Sequence, residues 1–164
     1  QQYLAALRSV GTVPAARQRT DSHAFVAALA DTANALCRPA KLHFVLQEQW
    51  QGQFLCAAPE LSRALENMLD NAVRYTPAGG TVTLTISKAD GDVSFTVTDT
   101  GPGFTPEALH KAGQFLYTDA ARPCNGHQGL GLYLARSVAQ AHVGKLVLAN
   151  TGTGAQVQLC LPMQ

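Results

Sequence analysis

The chain has 164 residues, the size of one domain or of one domain with an appendage. Lys plus Arg number 12 and Asp plus Glu 11, and the resulting net charge of +1 excludes a protein that holds nucleic acid through bulk charge. Apolar residues at 46% against 14% charged provide for a real core and exclude general disorder, yet no stretch reaches the roughly 20 apolar residues of a membrane-crossing helix.

The opening Gln1-Gln2-Tyr3-Leu4 lacks the basic-then-apolar order of a secretory signal. Tyr3, Leu4, Leu7 and Val10 share a helical stripe that is too short to bury itself. Gly11, Pro14 and the polar run Arg17–Asp21 then break it, so residues 1–20 are expected to be the end of a longer helix and a linker. Asp21 and Ser22 are candidate caps for a helix to about Cys37, with Phe25, Val26, Leu29, Ala33 and Leu36 inward. Lys41 to Gln47 alternates as a strand, and Gln53 to Ala57 is expected as its short neighbour. Pro59 suits the first position of a helix, where its missing N–H costs nothing. Leu61, Ala64, Leu65, Met68, Leu69, Ala72 and Val73 form the apolar stripe of that helix up to Tyr75.

Thr81 to Ser87 and Val93 to Thr98 alternate as two strands joined across Ala89-Asp90-Gly91-Asp92, a hairpin by its turn chemistry. Phe104 to Gln128 carries glycines and prolines and at most one short helix, and a loop of that length is functional or disordered. Helical periodicity returns from Gly129 to Ala141. A second hairpin, Leu146 to Asn150 and Ala155 to Leu161, closes the chain around Thr151-Gly-Thr-Gly154. The order predicts an α/β two-layer sandwich, a mixed sheet covered on one face by helices.

The 4 cysteines, Cys37, Cys56, Cys124 and Cys160, are far apart, and the 5 histidines stand at no ligand spacing from them. Three of them lie in apolar segments, as free cysteines acting as small hydrophobes do, which fits a reduced, intracellular protein.

Three clusters could carry chemistry. Asn67, Asn71 and Arg74 fall at i, i+4 and i+7, on one face rotated away from the apolar stripe. Asparagine is a poor helix former, and its amide oxygen is a hard neutral ligand suited to Mg²⁺. Asp99-Thr-Gly101-Pro-Gly103 follows a strand, where a carboxylate and two glycines let backbone approach a flat ligand. Gly129-Leu130-Gly131 opens a helix, whose exposed N–H groups favour phosphate. Singly, each also has an ordinary explanation: a solvated polar face, a strand-ending turn, a glycine-rich helix start.

In order, Glu66-Asn67-Met-Leu-Asp-Asn71-Ala-Val-Arg74-Tyr75-Thr-Pro77, Asp99-Thr-Gly101-Pro-Gly103-Phe and Gly129-Leu130-Gly131-Leu closely resemble the ATP-binding domain of bacterial sensor histidine kinases. These are Bergerat-fold enzymes of the superfamily that includes gyrase-type and chaperone ATPases. The resemblance covers roughly residues 20 to 162 and implies a mixed, mostly antiparallel sheet of about five strands, about three helices on one face and a long ATP lid. By it, residues 21–164 would be the catalytic domain and residues 1–20 the remnant of a helical dimerisation domain. Asn71 would bind Mg²⁺, Asn67 and Arg74 would meet the phosphates, and Tyr75 would contact the nucleotide. Asp99 would accept a hydrogen bond from the adenine amino group, with Gly101 and Gly103 bordering the base and Gly129, Leu130 and Gly131 shaping the phosphate end. Phe104 to Gln128 would be the lid, departing from the family at Ala112, Tyr117 and His127.

The resemblance also implies the partners. None of His23, His43, His110, His127 and His142 stands before an acidic residue as a phosphoacceptor does, so the acceptor histidine is expected on the parent kinase's dimerisation domain, with a response regulator downstream. This piece would be a monomeric, cytoplasmic part of a membrane-anchored parent. An ATPase or serine kinase of the same fold, and a non-catalytic nucleotide-binding module, are the alternatives. ATP-hydrolysing relatives place a glutamate one turn before the metal-binding asparagine as general base. Here that position is Asn67, and Glu66 is rotated by about 100° around the helix.

Overall fold

The computed structural model describes residues 16–111 and 130–163. In chain order the elements are β1 (Gln18–Asp21), α1 (Ser22–Cys37), β2 (His43–Glu48), β3 (Gln53–Cys56), α2 (Ala58–Tyr75), β4 (Thr81–Ala89), β5 (Asp92–Asp99), α3 (Pro106–Lys111), α4 (Leu130–Ala141), β6 (Lys145–Asn150) and β7 (Ala155–Pro162). Five strands form one sheet in the order β2-β4-β5-β7-β6. Only β2 and β4 run parallel, with β3 and α2 between them in the chain. The two-layer, mostly antiparallel α/β sandwich expected from the sequence is the fold observed.

Alternation decides which face is covered. Val82, Leu84 and Ile86 of β4, Val93, Phe95 and Val97 of β5, and Val157, Leu159 and Leu161 of β7 are buried. Thr83, Thr85, Thr96, Thr98, Gln156 and Gln158, one residue out of step, are half-buried on the opposite face. Helices α1, α2 and α4 lie over the apolar face. Leu61, Ala64, Leu65, Met68, Leu69 and Ala72 of α2 are each at most 2% exposed, as the stripe predicts, and each fully buried leucine or methionine contributes about 1.5–3 kcal/mol. Asp21 caps α1, its Oδ2 accepting from the Ala24 N–H at 2.9 Å.

Two expectations need correction. The polar run before α1 is no linker throughout: Gln18–Asp21 forms β1. And β3 does not neighbour β2. It pairs antiparallel with β1 in a separate two-stranded sheet, Gln18 opposite Cys56 and Asp21 opposite Gln53. The physical reason is the stretch Trp50-Gln-Gly52 between β2 and β3. The Ser22 N–H donates to the Gly52 carbonyl and the Gly52 N–H to Ser22 Oγ, which draws the chain to the start of α1. The β4–β5 hairpin is tighter than expected, with Ala89 and Asp92 already paired. Asp90 at φ 55° and Gly91 at φ 81° form the two-residue turn that matches strand twist.

The helical stripe expected at residues 3–10, and residues 112–128 of the expected lid, lie outside the described residues. The described first part of the expected lid contains a short helix, α3. Cys37, Cys56 and Cys160 are free and buried, as their apolar neighbours predict; Cys124 is outside the described residues. Burial pushes the Cys37 and Cys56 thiols up from their ordinary value, a lesser hydrogen bond to Thr20 opposing it at Cys56. Among the described residues no group of histidine, cysteine and carboxylate side chains could hold a metal, and no helix is long and apolar enough to cross a membrane.

Candidate functional site

Asn67, Asn71, Arg74 and Tyr75 occupy the C-terminal half of α2. Asn67 and Asn71 are one turn apart and half-buried, and helix geometry places Arg74 about 10 Å along the axis from Asn67. The Arg74 guanidinium pairs with Asp70 one turn earlier, Nη2 to Oδ2 3.6 Å, so its charge lies at this end of the helix. Both side chains are about a third exposed, which makes the pair worth a few tenths of a kcal/mol. The face carries hard oxygen donors and a guanidinium side by side, a donor set suited to a divalent cation and phosphate oxygens.

Asp99 ends β5, and the alternation that buries Val93, Phe95 and Val97 puts its carboxylate on the same inward face, 4% exposed. A buried carboxylate needs donors. Oδ1 accepts from the Gly101 N–H at 2.9 Å and from the Ala155 N–H at 3.2 Å. The chain then turns under α2. A Cβ on Gly101 would stand 2.7 Å from the Tyr75 carbonyl oxygen and 3.1 Å from Asp99 Oδ1, so only glycine lets this turn meet the end of the helix. The turn is tied to β4 by Thr100, whose Oγ1 accepts from the Thr81 N–H at 2.9 Å while its N–H donates to the Thr81 carbonyl at 3.2 Å. Gly103 takes φ 80°, which leads Phe104 inward.

The structure thus brings Tyr75, Asp99, Gly101 and Gly103 to one place, where the C-terminal end of α2 meets the end of β5. Leu130 and Gly131 are the first residues of α4, which packs against α2. Gly129 lies outside the described residues. The opposite ends of α2 and α4 are joined by His142, 3% exposed, whose Nε2 accepts from the Ala57 N–H at 3.0 Å while Nδ1 donates to the Val138 carbonyl at 2.9 Å. That bond satisfies one of the orphan donors at the start of α2, which has no side-chain cap.

Sequence reasoning missed Asn150 and Gly154. Asn150 grips both backbone groups of Phe104: Oδ1 accepts from its N–H at 2.7 Å and Nδ2 donates to its carbonyl at 2.8 Å. Gly154 lies so close to the Asp99 carbonyl that a Cβ there would overlap it. An asparagine ending a strand signals a side-chain bond to backbone, but nothing in sequence says that the backbone is 46 residues away.

Residues 56–164 match the family described as histidine kinase-, DNA gyrase B-, and HSP90-like ATPase. The chain belongs to this family. Its ATPases bind ATP, and so does this domain. The sensor histidine kinase SpaK of Bacillus subtilis is 43% identical over 107 residues, which make up 63% of this chain and 23% of SpaK. The histidine protein kinase DivJ of Caulobacter vibrioides is 37% identical over 105 residues, 63% of this chain and 18% of DivJ. The chain therefore spans about a fifth of the length of these curated relatives. The mycobacterial sensor histidine kinase MprB shares the fold with a TM-score of 0.78 at 23% identity, over 90% of this chain and 99% of that one. Full-length ShkA, solved in complex with AMPPNP, matches with a TM-score of 0.83 at 26% identity, over 98% of this chain and 34% of its own.

Proposed function

We propose that this domain binds Mg-ATP between the C-terminal half of α2, the Asp99–Phe104 turn and the start of α4, and donates the γ-phosphate to a histidine on a separate dimerisation domain of a parent sensor kinase. The observation that carries the reading is the buried Asp99 carboxylate beside Gly101, where the turn meets the C-terminal end of the helix that bears Asn67, Asn71 and Arg74. In this reading Asp99 accepts the adenine amino group, Gly101 and Gly103 admit the base edge, and Tyr75 lines the nucleotide. The Asn71 amide oxygen would hold Mg²⁺, which would supply charge neutralisation for the phosphates. Asn67 and Arg74 orient the triphosphate, and Gly129, Leu130 and Gly131 offer backbone N–H groups at the start of α4. The chain's share of phosphoryl transfer is positioning and electrostatics, as the chemistry of that transition state demands.

Two considerations support transfer over hydrolysis. The position one turn before Asn71 holds Asn67, an amide that takes no proton from water. The similar proteins SpaK and DivJ are named histidine kinases. Residues 1–20 belong to the linker and last helix of the dimerisation domain, except that β1 is part of the catalytic domain. Beyond this chain lie the acceptor histidine, the membrane anchor of the parent and the response regulator that receives the phosphate; the domain itself is a cytoplasmic monomer.

The test is transfer of radiolabel from γ-labelled ATP to the parent's separately produced dimerisation domain. Acid-labile, base-stable label on that domain, dependent on added Mg²⁺, is expected. Nucleotide binding without any label would leave a non-catalytic module, and phosphate release in place of label would make the domain an ATPase.

A further inference from the structure

We propose that Asn150 is a positioning residue for the base end of the nucleotide, acting through the backbone of Phe104; the inference rests on the adenine-nucleotide reading above. Both atoms of its amide are committed, Oδ1 to the Phe104 N–H and Nδ2 to the Phe104 carbonyl. Rotating the amide by half a turn would set N–H against N–H and oxygen against oxygen, so the pair fixes the direction in which the chain leaves the turn.

Gly103 is shaped by the same residue. Its φ of 80° is in the left-handed region, and a Cβ there would stand 2.9 Å from Asn150 Oδ1. The second glycine of Asp99-Thr-Gly101-Pro-Gly103 thus has a reason inside the protein as well as toward a ligand.

The other end of the turn is held from the same hairpin. Asn150 and Ala155 face each other as the last rung of the β6–β7 ladder. From that rung the Ala155 N–H reaches Asp99 Oδ1 at 3.2 Å, and Asn150 reaches Phe104. One rung therefore grips both ends of the loop that carries Asp99, Gly101 and Gly103. Thr151 stiffens the turn beyond it, its N–H donating to the Gly154 carbonyl at 2.8 Å and its Oγ1 accepting from the Gly154 N–H at 3.1 Å. Releasing Asn150 frees the 102–104 end of the loop while Thr81 still holds Thr100 and the Gly101 and Ala155 N–H groups still hold the carboxylate, so the effect falls on how the loop fits a base and not on the fold at large.

The experiment titrates ADP and GDP into wild type, Asn150→Ala and Asn150→Asp at a temperature where urea unfolding shows all three fully folded. Asn150→Ala should weaken ADP about tenfold and GDP much less, as expected for one lost positioning contact. Asn150→Asp keeps the acceptor for the Phe104 N–H but sets a carboxylate oxygen against the Phe104 carbonyl, and should weaken ADP at least as much as Asn150→Ala. Equal ADP affinity in all three overturns the proposal, as does an equal loss for ADP and GDP, which would mark a general structural role. Should Asn150→Ala not fold, Asn150→Asp and amide exchange in the wild type decide: the Phe104 N–H must be protected and become more so with ADP, and exchange at the rate of an exposed amide refutes the clamp. A wild type that binds no adenine nucleotide fails the underlying reading, whatever the variants do.

Discussion

Asp99→Asn changes one atom, and the structure says which one. Oδ1 faces two backbone N–H groups, Gly101 at 2.9 Å and Ala155 at 3.2 Å, so the amide must leave its oxygen there and place Nδ2 where Oδ2 stood. Both bonds survive but lose their charge assistance, worth about 1 kcal/mol apiece. Removing a charge that is only 4% exposed recovers part of that through desolvation. A stability loss on the order of 1 kcal/mol remains, and the domain stays folded. At the ligand the sign is different. In the proposed site a donor would replace an acceptor opposite the adenine amino group, and an unpaired buried donor costs about 1–3 kcal/mol, roughly 5- to 150-fold in affinity. Guanine presents a carbonyl where adenine has its amino group, so GDP should bind Asp99→Asn at least as well as it binds wild type. Calorimetric titration with both nucleotides, beside a urea unfolding curve, separates these effects. Unchanged ADP affinity in a folded Asp99→Asn protein would refute the assignment of Asp99 to the base.

Glu48 hydrogen-bonds and attracts the exposed His23 imidazole, with a smaller pull from Asp21, and together these hold His23 above its ordinary value of 6.5 against slight desolvation. A raised folded-state pKa gives stability that is fully present below the unfolded value and is lost as pH rises through the folded one, so Glu48→Gln should destabilise at pH near 5.5 and hardly at all near 9, by urea midpoints at each pH. Val143 takes φ 62° at the C-terminal cap of α4 and is 75% exposed, so Val143→Gly relieves about 1–2 kcal/mol of steric cost, against about 0.5–1 for glycine's entropy, and should raise the unfolding free energy. His142→Ala leaves the buried Ala57 N–H without its acceptor and opens a cavity, and should cost about 2–4 kcal/mol by denaturant midpoint at unchanged slope.

The fold was largely legible because its strands alternate and its helices carry apolar stripes. Val82, Leu84 and Ile86 point inward at period two, and Leu61 to Ala72 do so at helical spacing, with no competing pattern. What escaped was pairing that depends on distant partners. Gln18–Asp21 is polar because it forms a two-stranded sheet with β3, so no apolar alternation announces it. Gly154 reads as an ordinary turn glycine, yet it is required because the Asp99 backbone lies against it, as the Cys160 backbone lies against Gly144. Val143 shows the same effect in reverse. The cap of α4 would place glycine at 143, but the glycine is spent at 144, where β7 leaves no room for a side chain, and valine takes the strained position. At the site, Asn67 and Asn71 stand out as poor helix formers, and Asp99 with Gly101 and Gly103 as a carboxylate and close-approach glycines after a strand. Asn150 does not, because its partner is distant in sequence and its own position is ordinary.

The central claim is that Asn71 and Asp99 divide one Mg-nucleotide between them. It is tested most directly by titrating ADP and ATP into wild type and Asn71→Ala, each with excess Mg²⁺ and again with chelator. Wild type should bind Mg-ATP more tightly than metal-free ATP, because in the proposed site the Asn71 amide oxygen would add a ligand to the cation. Asn71→Ala should lose most of that difference while binding the metal-free nucleotides as wild type does. An Asn71→Ala protein that weakens metal-free ADP as much as Mg-ATP, or a wild type that binds neither nucleotide at millimolar concentration, would contradict the account.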